Sequence, residues 1–296
     1  MALETRPYGH AGDSVTVIGL GGTSLFKHSF NDGVATVHRA LELGVTYFDT
    51  SPAYGGGMTQ AILGYALEER SEEYLVATKL NMRTQPMFRS YDALRAQLDE
   101  NLTMLRRGSV DTLQVHESDH HTWWTDSPPE ERYAPLDSDY DFAGAPVVQV
   151  LRDAKAEGLC RFTGITGNTA AGVGLALANV DVDVCLTAFN YDILRRRTRR
   201  ELIPLAKSKN ANVVLGAVIR LPDDMPDQLE RLQAVARESG ISVLELTLRY
   251  LIADRDVTAV LVGASTPAEI GESVGAAEKG PLPADLHQTL EELVDD

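Results

Sequence analysis

Cysteine is scarce: the 296 residues hold two, Cys160 and Cys185, each inside an apolar run. Two are too few for a disulfide framework or a zinc site of their own, so a reducing cytoplasm is the expected setting. Positive charge is also in deficit. Lys and Arg number 27 against 43 Asp and Glu, a formal net charge of −16. An acidic chain is a poor general nucleic-acid binder, because phosphate backbones need a basic surface. No window reaches 18 uncharged apolar residues, so no membrane span is expected. Residues 1–14 carry Arg6, His10 and Asp13 and lack the apolar segment of a secretory signal. Aromatics amount to 6%. Against these shortages, 44% hydrophobic and 24% charged residues are the proportions of an ordinary folded chain, which excludes wholesale disorder.

Apolar runs rich in β-branched residues at 15–20, 46–50, 74–80, 111–116, 161–166, 183–189, 212–219 and 258–264 read as strands. Helical patterns follow at 33–43, 59–69, 91–105, 145–157, 169–178, 199–208, 227–239 and 267–278, with further helices at 243–252 and 283–294. In 91–105, Leu94, Leu98, Leu102 and Leu105 recur at three- and four-residue steps. Strict alternation of strand and helix implies parallel pairing with right-handed crossovers. Eight such units predict an α/β fold, a single (β/α)8 TIM barrel over residues 1–296. An open doubly wound sheet is disfavoured, because the glycines of Gly19–Ser24 do not match the G-x-G-x-x-G turn that such a sheet places before its first helix.

One connection is long. Residues 117–144 lack helical periodicity and contain Trp123, Trp124, Tyr133, Tyr140 and Phe142. Loops of that length in compact domains are usually functional. Trp123 and Trp124 are therefore expected to line a substrate pocket, the alternative being that they pin a surface excursion to the barrel wall. The segment 137–141 begins like a calcium loop, but Phe142 and Val148 stand where glycine and glutamate are required. The histidines of 116–121 offer no i, i+4 pair on a helix of the kind that holds a metal. No metal is expected.

Barrel sites lie at the C-terminal ends of the strands. There the second strand delivers Asp49, the third Lys79 and the fourth His116, with Tyr54 five residues past the acid. Singly each has an ordinary explanation: a turn cap, a solvated strand end, a loop aromatic, a satisfied histidine. Together they form a proton-transfer set. A neighbouring ammonium lowers the pKa of a phenol, a carboxylate keeps that ammonium charged, and an imidazole orients a carbonyl. No side chain donates hydride, so a nicotinamide is implied.

Phe48-Asp49-Thr50-Ser51 with Tyr54-Gly55, then Ala77-Thr78-Lys79, then Val115-His116, resembles the aldo-keto reductase superfamily in order and spacing. The resemblance implies Tyr54 as general acid/base, Asp49 and Lys79 as the pair that tunes it, and His116 as a donor that orients the substrate. It also implies an extended nicotinamide dinucleotide bound without a Rossmann fold. The runs 54–60 and 116–119 are similar to the bacterial sugar-oxidising branch, fucose or galactose dehydrogenases acting at C1 of aldoses, with Gln60 where that branch has Glu. A small-molecule carbonyl or sugar substrate is thus expected, and the oligomeric state is left open.

The cofactor contacts carried over by this resemblance are Gly22, Thr23, Asp49, Thr166, Asn168, Ala188, Gly216, Arg220, Gly263, Ala264, Ser265, Glu269 and Ser273. Several depart from the family pattern: Ala188 replaces a glutamine, Gly216 a stacking aromatic, Glu269 an arginine and Ser273 an asparagine. A 2′-phosphate needs cationic donors, so NAD(P)(H) is expected with a leaning to NAD(H). Arg220 can neutralise a pyrophosphate. The run 195–200, rich in arginine, reads as a surface ion-pair network with Asp192 and Glu201, as a source of phosphate charge or as an attractor of an anionic substrate. Two other functions compete: a nucleotide-binding sensor barrel with eroded catalysis, and a lyase using Lys79 as a Schiff-base nucleophile.

Overall fold

In the computed structural model, which describes residues 3–9, 12–82, 87–131, 134–220, 222 and 224–294, the chain enters by a hairpin. Strand β1 (Thr5–Tyr8) pairs antiparallel with β2 (Asp13–Thr16). Then follow β3 (Ile18–Gly21), β4 (Tyr47–Asp49), β5 (Leu75–Leu80), β6 (Val110–Val115), β7 (Cys160–Gly167), β8 (Val184–Ala188), β9 (Asn212–Gly216) and β10 (Ala259–Val262). These eight pair parallel and in order, and β10 closes on β3, a (β/α)8 barrel. The run 15–20 conceals a corner. The apolar residues continue across it, but Thr16 ends the hairpin and Ile18 begins the barrel. Likewise β8 and β9 stop short of 189 and 219, because Phe189 and Ala217 take left-handed backbone with φ of +65° and +55°.

The helices, in chain order, are α1 (Phe30–Glu42), α2 (Met58–Leu67), α3 (Tyr91–Met104), α4 (Pro146–Ala156), α5 (Ala170–Asn179), α6 (Ile203–Ser208), α7 (Pro226–Ser239), α8 (Val243–Ala253), α9 (Pro267–Glu278) and α10 (Ala284–Glu291). None among the described residues is long and apolar enough to cross a membrane. The helices bury one apolar stripe against the outside of the barrel, such as Leu94, Leu98 and Leu102 of α3.

Inside the barrel a separate cluster gathers Tyr8, Val15, Tyr47, Leu75, Ala77, Phe162, Val184, Leu186, Val214, Ala259 and Leu261. Successive strand residues point to opposite faces. The residue two places beyond the uppermost of these side chains on five strands therefore reaches the open end: Asp49 after Tyr47, Lys79 after Ala77, Ala188 after Leu186, Gly216 after Val214, Gly263 after Leu261. The hairpin seals the opposite end. Tyr8 is fully buried there, its hydroxyl 2.8 Å from Thr112 Oγ1 and 3.2 Å from Tyr47 Oη.

Candidate active site

Asp49 and Lys79 lie on neighbouring strands and form an ion pair, Nζ to Oδ1 2.5 Å, with side chains 3% and 1% exposed. Lys79 Nζ also donates to the Thr50 carbonyl (2.7 Å), and Gln114 Nε2 donates to the other Asp49 oxygen (2.9 Å). Burial works against the Lys79 charge, yet Asp49 and Tyr54 more than offset it and hold the ammonium above the usual lysine range. A lysine so held stays protonated at neutral pH, which removes the lone pair that a Schiff-base nucleophile needs.

Tyr54 comes from the turn between β4 and α2. Gly55, Gly56 and Gly57 there all have positive φ, and a Cβ on Gly55 would lie 2.6 Å from the Phe26 ring. Three consecutive left-handed residues demand glycine, and they let the chain double back so that the Tyr54 ring faces the barrel mouth. Lys79 Nζ lies 5.0 Å from the ring centroid. The sequence suggests a phenol made more acidic by that charge, but the net direction differs. Burial dominates and pushes Tyr54 above its ordinary value, with the Lys79 ammonium pulling it back only in part. The phenol thus keeps its proton at neutral pH.

His116 packs edge-on to Tyr54, ring centroids 5.6 Å apart. Its Nδ1 is 2.5 Å from Asn81 Nδ2 and 3.1 Å from Ser51 Oγ. An amide nitrogen only donates, so Nδ1 accepts and the imidazole proton is assigned to Nε2. Asn81 is fixed in turn by α3: Gln97 bonds both its backbone N–H (2.8 Å) and carbonyl (2.9 Å). Gln114, Asn81 and Gln97 were not anticipated from the sequence. Gln114 carried a readable signal, a polar residue two places before His116 and on the same strand face.

These groups open onto a cleft of about 790 Å³ at the C-terminal ends of the strands. Its wall includes Thr23, Asp49, Tyr54, His116, Asn168, Ala188, Gly216, Arg220 and Gly263 from the candidate residues, and adds Lys27, Glu117 and Phe189. Lys27 and Arg220 bring cations to the wall, and Arg220 sits over the Phe189 ring at 5.6 Å. The remaining candidates lie elsewhere. Gly22 is buried, a Cβ there meeting Thr59 at 2.3 Å. Thr166 is buried and accepts from the Glu117 amide at 3.2 Å. Ala264, Glu269 and Ser273 line a smaller adjoining cleft of about 180 Å³, with Ile219 and Gly263 common to both. Ser265 donates to Glu269 Oε2 from its backbone N–H (2.7 Å) and its hydroxyl (3.0 Å). That backbone bond, foremost, holds the Glu269 carboxyl below the usual range.

Trp123 and Trp124 are not among the described residues of the cleft wall. Both are buried, and their indole N–H groups donate to the His116 and Ser118 carbonyls at 2.8 and 2.7 Å. With Phe142 4.8 Å from Trp124 and Tyr140 bonded to His121, they pin the long loop to the barrel. Tyr133 lies outside the described residues. The arginine run forms ion pairs: Arg195 with Asp192, Arg196 and Arg199 with Glu291, Arg197 with Glu201. Among the described residues no group of three His, Cys, Asp or Glu is disposed to hold a metal ion.

The sequence model of the Aldo/keto reductase family matches residues 17–220 and 222–295. The chain is 29% identical over 298 residues to the L-galactose dehydrogenase of Arabidopsis thaliana, covering 93% of this chain and 88% of that one. It is 23% identical over 330 residues to the D-threo-aldose 1-dehydrogenase of a Pseudomonas species, covering 95% of each. Among solved structures, the aldo-keto reductase AKR11C1 of Bacillus halodurans in its holo form shares the fold, with a TM-score of 0.78 over 99% of this chain and 97% of that one at 24% identity.

Proposed function

Because the chain belongs to the aldo/keto reductase family, an oxidoreductase family that works with NAD(P)(H), we propose that it transfers hydride between a nicotinamide dinucleotide and the C1 position of an aldose or a related aldehyde. The observation that carries this reading is Tyr54 set over the buried Asp49–Lys79 pair on the wall of a cleft large enough for such ligands.

The donor set suits a dinucleotide. Lys27 and Arg220 offer charge to a diphosphate, and Asn168 offers an amide to the carboxamide. Ala188 and Gly216 leave a shallow wall, since a Cβ at Gly216 would meet Leu186, Ala188 and the Thr187 carbonyl at ordinary distances of 3.5, 3.8 and 3.9 Å. When bound, the nicotinamide supplies or accepts the hydride. In the reducing direction Tyr54 gives its hydroxyl proton to the carbonyl oxygen as the carbon gains hydride, and Lys79 stabilises the phenolate left behind. Asp49 holds Lys79, and Gln114 holds Asp49. His116 donates from Nε2 to the same oxygen and fixes its direction. Oxidation runs these proton steps in reverse.

NAD(H) is favoured over NADP(H) by Glu269, whose carboxylate occupies the Ser265 amide and would repel a 2′-phosphate. The test is Tyr54→Phe. Turnover is expected to fall roughly 10²- to 10⁴-fold while NADH affinity, followed by fluorescence titration beside NADPH, stays within about twofold. Undiminished turnover in that variant would discard the mechanism.

A further inference from the structure

Glu117 follows His116 with a φ of +57°, a backbone that a bulky side chain keeps only when its surroundings impose it. A strand running straight on would aim the residue after His116 at the helices. The left-handed turn puts it on the cleft wall instead, beside Tyr54 and His116, with 4% of it exposed. Strand β7 holds the turn in place. Thr166 accepts from the Glu117 N–H through Oγ1 (3.2 Å) and from the Ser118 N–H through its carbonyl (2.6 Å). Asn168 Nδ2 donates to Glu117 Oε1 at 3.2 Å.

We propose that Glu117 sets the substrate class of this site: its carboxylate accepts a hydroxyl of a neutral polyhydroxylated aldehyde or hemiacetal, and it turns away carbonyl compounds that carry a carboxylate or phosphate. The inference rests on the reading of the cleft as a hydride-transfer site and narrows it. A carboxylate only accepts hydrogen bonds, from about four directions, so substrate hydroxyls are its natural partners and a bare aldehyde offers it none. Asp49 lines the same cleft but is paired with Lys79, so the cost to an anionic ligand comes from the Glu117 carboxylate held in a partly desolvated site. The chain's net charge of −16 opposes approach of the same ligands from a distance.

The experiment compares NADH-dependent reduction of glyceraldehyde, propanal and succinate semialdehyde by the wild type, Glu117→Gln and Glu117→Asp. These are, in turn, a hydroxylated, a bare and an anionic aldehyde. In Glu117→Gln the kcat/KM ratio of glyceraldehyde to propanal should fall about 10- to 100-fold, mainly through KM, and relative use of succinate semialdehyde should rise. Glu117→Asp keeps the charge one methylene shorter. It should raise the glyceraldehyde KM severalfold and still exclude succinate semialdehyde, which decides the matter even where the Gln variant folds poorly. A ratio unchanged within twofold in folded Glu117→Gln overturns the inference. So does a change confined to the NADH dissociation constant, which would make Glu117 only a support for Asn168. Failure of the wild type to reduce any of the three aldehydes is a different result, because it removes the hydride-transfer reading and this inference together.

Discussion

The two halves of the barrel mouth are built on opposite principles. On β4 to β6 the strand ends carry large polar side chains: Asp49, Lys79 and Gln114, joined by bonds of 2.5 and 2.9 Å, and His116, held by Asn81 at 2.5 Å. On β8 to β10 the equivalent positions hold Ala188, Gly216 and Gly263. One half concentrates charge where water is excluded, and the other makes room. Burying an ion pair of 1% and 3% exposed side chains is a poor way to gain stability, because desolvation offsets much of the attraction. Its place beside a ligand-sized void is what gives it a use.

The polar half should be the more sensitive. Lys79→Met is expected to lower turnover more than 10²-fold, in the range of a lost general acid–base device. By leaving Asp49 buried and alone it should also cost about 3 to 5 kcal/mol in urea unfolding. Lys79→Met with Asp49→Leu should recover most of that stability and none of the activity, separating the pair's structural cost from its chemical role. The pH profile carries the same information. Tyr54 sits above the ordinary phenol value of 10.0, so at neutral pH it holds the proton that reduction consumes. Reduction should stay level through neutrality and decline only as the phenol ionises in strong alkali, whereas oxidation needs the phenolate and should climb with pH. Both limbs should move further up in Lys79→Met, since the charge that favours the phenolate is gone. Limbs that stay put would separate Lys79 from Tyr54.

On the spacious half, filling is the test. Gly216→Val adds a side chain whose first carbon has only ordinary contacts, 3.5 Å being the nearest. The β-branched residue suits a strand, and thermal stability should hardly change. NADH affinity should nonetheless fall about 10- to 100-fold, the equivalent of 1–3 kcal/mol of overpacking against the ligand. An unaltered dissociation constant would mean that β9 does not border the dinucleotide.

This contrast also decides what was legible beforehand. Strand and helix alternation fixes a barrel, and chemistry-bearing side chains announce themselves: Asp49, Tyr54, Lys79 and His116 could be named from spacing alone. Room does not announce itself, because a small residue in a sequence looks the same whether it packs or makes a cleft. Thr166 reads as a ligand contact, yet its hydroxyl serves the turn at Glu117. Lys27 was invisible for another reason, since it reaches the wall from a loop whose course no periodicity records. The tryptophans show the converse, the risk of judging a long loop by its aromatics: their N–H groups bond the carbonyls of His116, at the strand end, and Ser118, at the start of the loop. Tyr54's raised pKa was missed because attraction to a lysine can be inferred from sequence, whereas desolvation depends on packing.

The smallest expected effect sharpens the comparison where the two halves hand over to the N-terminus of α9. Glu269 there accepts from the Ser265 N–H and hydroxyl, so a carboxylate already holds the segment just before a helix end of the kind that commonly attracts a phosphate. Lys27 and His28 lie near enough to favour its charge further. Glu269→Gln keeps an oxygen for the Ser265 bonds and removes only the charge. One unit charge near an exposed phosphate is worth about 1 kcal/mol in water, roughly fivefold in affinity. The NADPH-to-NADH affinity ratio should therefore rise about fivefold, with NADH binding itself unchanged within twofold. Raising salt should shrink the difference, because the interaction is exposed and screened. A ratio that does not move, or that moves equally at high salt, would place the adenosine end of the ligand away from α9.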